Sequence, residues 1–584
     1  VKRGNNMTMN SETHAPKQSM WKKITQSKYF VYVLISPLVF VLLAYVIYPM
    51  FKTFSQSVID QEGSLSLANY LNFFTSEANL ESLYNSIFIS IVSVITCAIV
   101  GVGMAFLLNR YEFPGRKVLS ILVLVPMALP PLIGAISFSF LYGSSGIFPR
   151  LFQAIFQLDT APFALEGIWG IIIVHTFTMY TYFYLSASAA IRGLDLSLEE
   201  AATSLGSGRL RIWRKIILPM LTPAMVASSL LVFMISMASY TAPLMFGVER
   251  VMTMAITLSR TNGNLEMAAT QSTILSFVSI AFLILMTWYQ NRRNYQSQSK
   301  GVGVHRTEVR SSAVKYTAAI LSVIGVIILM LPILVIALIS FAVDGEWTTQ
   351  IIPTSYTLDH YIELFTDSRT WGPIKNSIQM SVVAVIGNII FGVAAAYAMV
   401  RFAFKGKVFM DILIMVPWAL PGTVVAVNLI SAFSEGNVFS FNQVLVGTFW
   451  ILPLAYFVRQ LPLVFRNTQA SLIQMDDSIE EAAQSLGATW WHSFRRVVLP
   501  IIMPGVLAGT LLAFVQGLTE FVASILLYSP STMPLSVGIW NKMYSFQFGT
   551  ACAYGVLQTI LIIIVLLINE KLKGDTDQPA AAMG

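Results

Sequence analysis

Stretches free of Asp, Glu, Lys and Arg recur along the chain at lengths that a soluble helix does not need. Twelve such windows cover residues 29–51, 82–109, 118–149, 167–191, 216–248, 267–291, 316–343, 376–400, 412–434, 436–458, 497–519 and 543–569. Each suffices to cross a bilayer, since about 20 apolar residues in a helix span a hydrocarbon core of roughly 30 Å. Bare loops and open sheet edges do not survive in lipid, so the windows predict helices. The expected fold is an all-α polytopic membrane protein with twelve transmembrane helices.

Composition agrees. Of 584 residues, 55% are hydrophobic and 11% charged, against about 25% charged in ordinary globular domains; the mean hydropathy is +0.69. Disorder, a coiled coil and a nucleic-acid binder are excluded together. Two cysteines, Cys97 and Cys552, make no disulfide framework, and five scattered histidines offer no metal-ligand spacing. No metal site and no cofactor bound by this chain are expected. Basic residues from Lys17 to Lys28 precede an apolar run as in a signal peptide. The run from Phe30 to Met50 is longer than a signal core and lacks a small-residue cleavage site behind it, so it is expected to stay as the first helix.

Lys and Arg divide unequally between the two sides. The N-terminal tail and every second connection hold 28 of them, among them Arg110, Arg116, Lys117, Arg214, Lys215, Arg401, Arg495 and Arg496; the other side holds seven. Arg459, placed near the inner end of the tenth window, completes the 36. The positive-inside rule then puts both termini in the cytoplasm of a multi-pass cell-membrane protein. The net charge of +7 reports this topology, and no nucleic-acid partner is implied.

The chain also repeats itself. Residues 109–130 (NRYEFPGRKVLSILVLVPMALP) return 291 positions later as 400–421 (VRFAFKGKVFMDILIMVPWALP), and Asn85-Ser86 returns as Asn376-Ser377. Residues 197–219 (SLEEAATSLGSGRLRIWRKIILP) return 281 positions later as 478–500 (SIEEAAQSLGATWWHSFRRVVLP). The change of offset locates a ten-residue insertion in the external loop around Gly143 to Glu166. The expected organisation is a cytoplasmic tail 1–28, a first repeat 29–291 (core 80–290), a cytoplasmic linker 292–315, a second repeat 316–573 (core 370–572) and a tail 574–584. Six helices per repeat set both copies the same way up, as parallel repeats around an axis along the membrane normal.

The repeated segment after the fourth helix carries the chemistry. Ser197 with Glu200 and Ser478 with Glu481 fit a capping box, and Gly206 and Gly487 supply helix stops. Ala201-Ala202 and Ala482-Ala483 give the helix a face that a partner can approach closely. A basic stretch follows in each copy and ends in Leu-Pro. Taken alone, that stretch fits an interfacial helix anchored to anionic lipid; the whole segment, occurring twice at one topological position, indicates a paired docking element.

The pattern E-A-A-x3-G-x9-I-x-L-P resembles the signature of permease subunits of ATP-driven, binding-protein-dependent importers. Glu199, Glu200, Ala201, Ala202, Gly206, Ile216, Leu218 and Pro219 carry it in the first repeat. Glu480, Glu481, Ala482, Ala483, Gly487, Val497, Leu499 and Pro500 carry it in the second, with Val497 replacing the isoleucine. Two such domains in one chain are similar to ferric-iron permeases, with phosphonate, sugar-phosphate and thiamine permeases built alike. The resemblance implies two copies of an ATP-binding subunit on the cytoplasmic face, which use ATP and Mg, and an extracytoplasmic solute-binding protein. The implied solute is ferric iron, a small anion or thiamine. Independently, no G-x-x-x-x-G-K-[ST] loop occurs, so this chain is expected to have no ATP-hydrolysis site and not to be an enzyme.

An ion-coupled secondary transporter with six plus six helices shares the count and symmetry. Few charges interrupt the windows, whereas coupled carriers place ionisable groups in their spans. The candidate pathway residues are Glu520, which interrupts the eleventh span directly after its charge-free window, Ser239 at its equivalent position 281 residues earlier, Asn428 and Gln516; Gln379 and Asn388 are further polar residues in spans. His175, in the fourth window, is expected to be a hydrogen-bonded helix contact, and Arg459 to snorkel to the inner interface.

Overall fold

The computed structural model of the chain describes residues 30–59, 63–192, 201–292, 312–345 and 350–574. The two tails and the linker expected at 292–315 fall almost wholly outside them. The first half contributes α1 (Val31–Ser57), α2 (Glu77–Arg110), α3 (Pro131–Tyr142), α4 (Gly167–Arg192), α5 (Leu218–Met237) and α6 (Leu265–Arg292). The second contributes α7 (Ser312–Ile339), α8 (Ser368–Arg401), α9 (Gly422–Phe433), α10 (Ile451–Gln474), α11 (Leu499–Thr519) and α12 (Phe548–Gly574). Among the described residues, ten helices are long and apolar enough to cross a membrane, or eleven with one bent pair taken as a single span. The remaining helix is α10, whose 24 residues include Arg459 and Arg466.

Several windows differ from unbroken spans. The third and ninth are each broken: Arg116–Leu122 precedes α3, and Lys407–Ala419 precedes α9 with a bend of 105°. Proline forces the break, because it disfavours helical backbone at the residue before it. Leu129 before Pro130 and Leu420 before Pro421 accordingly have ψ of 123° and 135°. The fifth window ends as a helix at Met237, followed by a separate turn of helix, Thr241–Met245. The tenth is displaced: residues 436–450 form a loop with one short 3-10 turn, and the helix begins at Ile451. The ten-residue insertion appears as the helix Ile147–Ile155 between α3 and α4.

A second proline effect recurs where helices enter the bundle. Leu218 before Pro219, Leu499 before Pro500 and Tyr48 before Pro49 each donate to the carbonyl five residues back, forming π-turns at Trp213–Ile217, Phe494–Val498 and Leu43–Ile47. Proline has no N–H to continue the regular ladder and its ring crowds the carbonyl four residues back, so the preceding turn widens.

The repeated Asn-Ser pair has a structural purpose. Asn85 Nδ2 donates to the Arg250 carbonyl at 2.9 Å, and Ser86 Oγ accepts from Met252 N at 2.9 Å. In the second half Asn376 Nδ2 donates to the Met533 carbonyl at 3.0 Å, and Ser377 Oγ accepts from Leu535 N at 2.7 Å. Each pair anchors the start of a short helix, Met252–Thr261 or Leu535–Tyr544, to α2 or α8. A first-turn N–H has no partner within its own helix, so the serine satisfies a group that lipid cannot.

Close crossings hold each half together. Gly101 of α2 lies against α4, where a Cβ would collide with the Tyr180 carbonyl oxygen, and its equivalent Gly392 of α8 meets α10 at Val464 and Phe465. Small residues at such points let helices approach and gain dispersion contacts that apolar burial alone cannot supply in lipid. Each half also lends its first helix to the other. In α1, Tyr45 Oη donates to the Phe439 carbonyl at 3.1 Å and Tyr48 packs on the Phe439 ring at 4.9 Å. In α7, Gly325 lies against Met104 of α2.

With 34 residues at 1.5 Å each, α8 runs about 50 Å, holding Ser377 and the Leu535–Tyr544 helix near one end and Arg401 beside the repeated basic segment at the other. Single cysteines introduced by Ser207→Cys and Gln547→Cys are therefore expected to react with an impermeant maleimide from opposite sides of the membrane. Cys97 and Cys552 are buried and give little background. Labelling from one side would overturn the twelve-span topology.

Candidate functional site

The repeated segment of the second half is a helix, Asp477–Ser485, leading from α10 through a short connection. Its cap differs from the expected Ser478–Glu481 box: Asp476 Oδ1 accepts from Ser478 N at 2.9 Å, leaving Ser478 inside the first turn. Asp and Ser cap such an N–H about equally well, and the carboxylate in addition complements the helix dipole. The same bond holds the exposed Asp476 carboxyl below its ordinary pKa. Ser197, Glu199 and Glu200 lie outside the described residues.

Both copies stop as expected. Gly206 and Gly487 have φ of +78° and +94°. Ser207 N donates to the Ala202 carbonyl at 3.0 Å and Gly206 N to the Thr203 carbonyl at 2.9 Å; Ala488 N and Gly487 N repeat this with Ala483 and Gln484 at 3.1 and 3.0 Å. This is a Schellman closure, which needs a left-handed residue at the glycine. Nothing lies within 4 Å of where a Cβ would stand at either position, so the requirement is conformational. Beside the glycines, Leu205 and Leu486 are 87% and 90% exposed. Ala201, Ala482 and Glu481 are also exposed, with Ala202 and Ala483 half-buried. The two repeats thus present the same leucine, at the same place beside the stop, to the outside of the protein.

The two glutamates of the second copy point apart. Glu481 is exposed, whereas Glu480 is 7% exposed and turns inward. Tyr397 Oη donates to Glu480 Oε1 at 2.5 Å, Arg401 Nε approaches Glu480 Oε2 at 3.3 Å, and Arg401 also pairs with Asp477. Beyond the glycine, Thr489 Oγ1 accepts from His492 N at 3.3 Å, and the π-turn then carries the chain into α11. Ile216 and Val497 are half-buried within these turns, and Pro219 and Pro500 are exposed at their ends.

Ser239 and Glu520 occupy equivalent breaks at the ends of α5 and α11. The residues that follow them, Tyr240 and Phe521, are also equivalent, and their rings meet with centroids 6.3 Å apart. Two residues exchanged by a two-fold axis touch each other only at that axis, so this buried ring pair closes the centre of the molecule. Nothing polar in the sequence points to these aromatics; their position directly after the Ser239/Glu520 pair is the signal.

The flanking polar groups are partnered. His175 Nε2 shares a hydrogen bond with Ser239 Oγ at 2.8 Å, and Nδ1 faces Ser236 and Ser93 at 3.0 and 3.2 Å. Glu520 Oε2 pairs with Arg459, and Oε1 accepts from Ala523 N at 3.0 Å. Arg459 therefore does not snorkel to the inner interface; with α10 shifted, it lies eight residues from the start of that helix, far along it from the end that leads into the repeated segment. Asn428 lines a separate cavity of about 280 Å³ beside Thr53 and Ser276, and Gln516 is exposed. Neither joins the axial group.

Two parallel six-helix halves, a closed axis and doubled exposed segments at one end define a transport permease. Residues 97–295 and 388–574 both match the family described as binding-protein-dependent transport system inner membrane component. More than half of the chain is matched, and it belongs to this family of ABC importer permeases. It is 28% identical to a probable ABC transporter permease protein of Sinorhizobium fredii, over 91% of this chain and 94% of that one. It is 25% identical to a ferric transport system permease protein of Actinobacillus pleuropneumoniae, over 95% and 80%. A putative 2-aminoethylphosphonate transport system permease protein of Salmonella paratyphi A is 28% identical over 43% of this chain and 91% of its own length.

The Arg459–Glu520 pair predicts a stability pattern. The pair is partly buried, its side chains 22% and 10% exposed, and removing one partner leaves the other charge uncompensated, a cost of about 1–3 kcal/mol. Arg459→Ala is expected to lower the unfolding temperature of the purified permease further than Arg459→Ala combined with Glu520→Ala. A double variant that loses as much as the two single variants added together would show that the pair is not coupled.

Proposed function

We propose that this permease forms the translocation pathway of an importer and docks two copies of an ATP-binding subunit through its two repeated segments. Glu199, Glu200, Ala201, Ala202 and Gly206 with Ile216 and Pro219 form one docking element, and Glu480, Glu481, Ala482, Ala483 and Gly487 with Val497 and Pro500 form the other. The observation that carries this proposal is the doubled Schellman-closed helix with its exposed leucine and alanines. The docking end faces the cytoplasm together with both termini, and a solute-binding protein delivers cargo at the opposite end. ATP and Mg belong to the partner subunits.

Ferric iron is the proposed cargo, supported by the ferric permease that matches nearly the whole chain. A small anion such as a phosphonate is the second possibility, supported by the phosphonate permease matching one half and by Arg459 beside the axis. Ser239 and Glu520 act at the axial closure; Glu520 already has Arg459 and the Ala523 N–H as partners, which disfavours a role as a free carboxylate ligand. Measuring whether the cognate binding protein takes up ferric iron or 2-aminoethylphosphonate decides the cargo.

Gly206→Val and Gly487→Val together are expected to reduce solute uptake and binding-protein-stimulated ATP hydrolysis at least tenfold while the permease still inserts, because a β-branched residue resists the left-handed backbone. Normal transport would remove these segments as docking elements. Glu520→Gln in the reconstituted complex is expected to change the transport rate or basal ATP hydrolysis through the axial closure. Wild-type values for both would leave Glu520 with a structural role only.

A further inference from the structure

The two docking segments are not chemically equal. In the second half, Tyr397 of α8 is 2% exposed and its hydroxyl donates to Glu480 while accepting from Trp490 Nε1 at 2.9 Å. Its ring packs edge-on against Trp490 and Phe494, and Arg401 on the next turn pairs with both Asp477 and Glu480. One tyrosine thus joins a membrane-spanning helix to the start of the docking helix, through Glu480, and to the segment that follows it, through Trp490.

The internal repeat tells what the first half lacks. At the repeat offsets, Glu480 corresponds to Glu199 and Arg401 to Arg110, so the acid and the base are kept. Tyr397, Asp477 and Trp490 correspond to Phe106, Leu196 and Arg209. At these three positions the first copy has no hydroxyl, no second acid and no indole donor. There the Arg110 guanidinium lies over the Phe106 ring, 5.6 Å from its centroid. Losing a hydrogen bond to a buried carboxylate costs more than losing a neutral one, so the three changes act together on the stiffness of the joint.

We propose that Tyr397 is a positioning residue that clamps the second docking helix to α8, so that one ATP-binding subunit meets a stiff joint and the other a compliant one. The inference rests on the docking role proposed above. The stiff joint passes movement of its subunit directly to α8 and, through Ser377 at the far end of that helix, to the Leu535–Tyr544 helix. The compliant joint transmits less for the same movement.

Two measurements test it. Spin labels at the exposed, equivalent positions of Ser204→Cys and Ser485→Cys, in the full-length permease in nanodiscs, are expected to show the Ser485 site less mobile. Tyr397→Phe, which keeps the ring and reproduces the first half's own residue, is expected to raise the mobility at Ser485 to that at Ser204. In proteoliposomes with its ATP-binding subunits and binding protein, Tyr397→Phe is expected to raise ATP hydrolysed per solute imported about tenfold, the scale of one hydrogen bond to a charged group. Equal mobility of the two sites in the absence of the Tyr397 substitution, or an unchanged coupling ratio in Tyr397→Phe, would overturn the clamp. The glycine substitutions separate this outcome from failure of docking itself. If they impair ATP hydrolysis while Tyr397→Phe is normal, docking stands and the clamp falls; if neither set has an effect, docking falls as well.

Discussion

Inside a bilayer every backbone N–H and carbonyl needs a partner within the protein, and the architecture follows from how this chain meets that demand where its helices break. The breaks after α5 and α11 are equivalent, and hydroxyls close both. Thr253 Oγ1 donates to the Ser239 carbonyl at 2.7 Å, and Ser524 and Ser536 both donate to the Glu520 carbonyl at 2.7 Å. Because these groups are satisfied from neighbouring turns, the chain can change direction next to the axis. That change of direction brings Tyr240 and Phe521 together at the centre.

The same demand explains what could be read from the sequence. Charge-free windows, the internal repeat and the two glycine stops were legible because each is a local property of composition or backbone conformation. Helix continuity was not, since a window empty of charge says nothing about the ladder inside it. Pro130 and Pro421 were the available signals for the broken spans. The displacement of α10 has a related cause: counting Arg459 as an end marker fixed the window too early, whereas pairing with Glu520 lets the arginine sit within the helix. Composition could not foresee a partner 61 residues away. The Asp476 cap was missed because Ser478 and Glu481 satisfy the spacing of a capping box without occupying its geometry.

The repeat preserves architecture more faithfully than chemistry. Gly101 and Gly392, the Asn-Ser anchors and the π-turns hold equivalent places in both halves. Around the axis the partners diverge: a histidine among serines stands on one side and an arginine–glutamate pair on the other. One polypeptide carrying both halves fixes which side has which set, something a homodimer of single-repeat chains cannot do. Asymmetry of charge at the centre is thereby built into every copy.

The exchange of first helices bears on how the molecule is made. Tyr45 and the Phe439 carbonyl that it contacts are 394 residues apart, so α1 enters the membrane long before the second half that receives it exists. Until then, the face that ends against Phe433 and Phe439 meets only lipid or the earlier helices. Assembly therefore has a late step, in which an already inserted helix is captured sideways within the bilayer. The exchange makes the first half on its own an incomplete body, so the permease reaches its final packing only when nearly all of it has been synthesised.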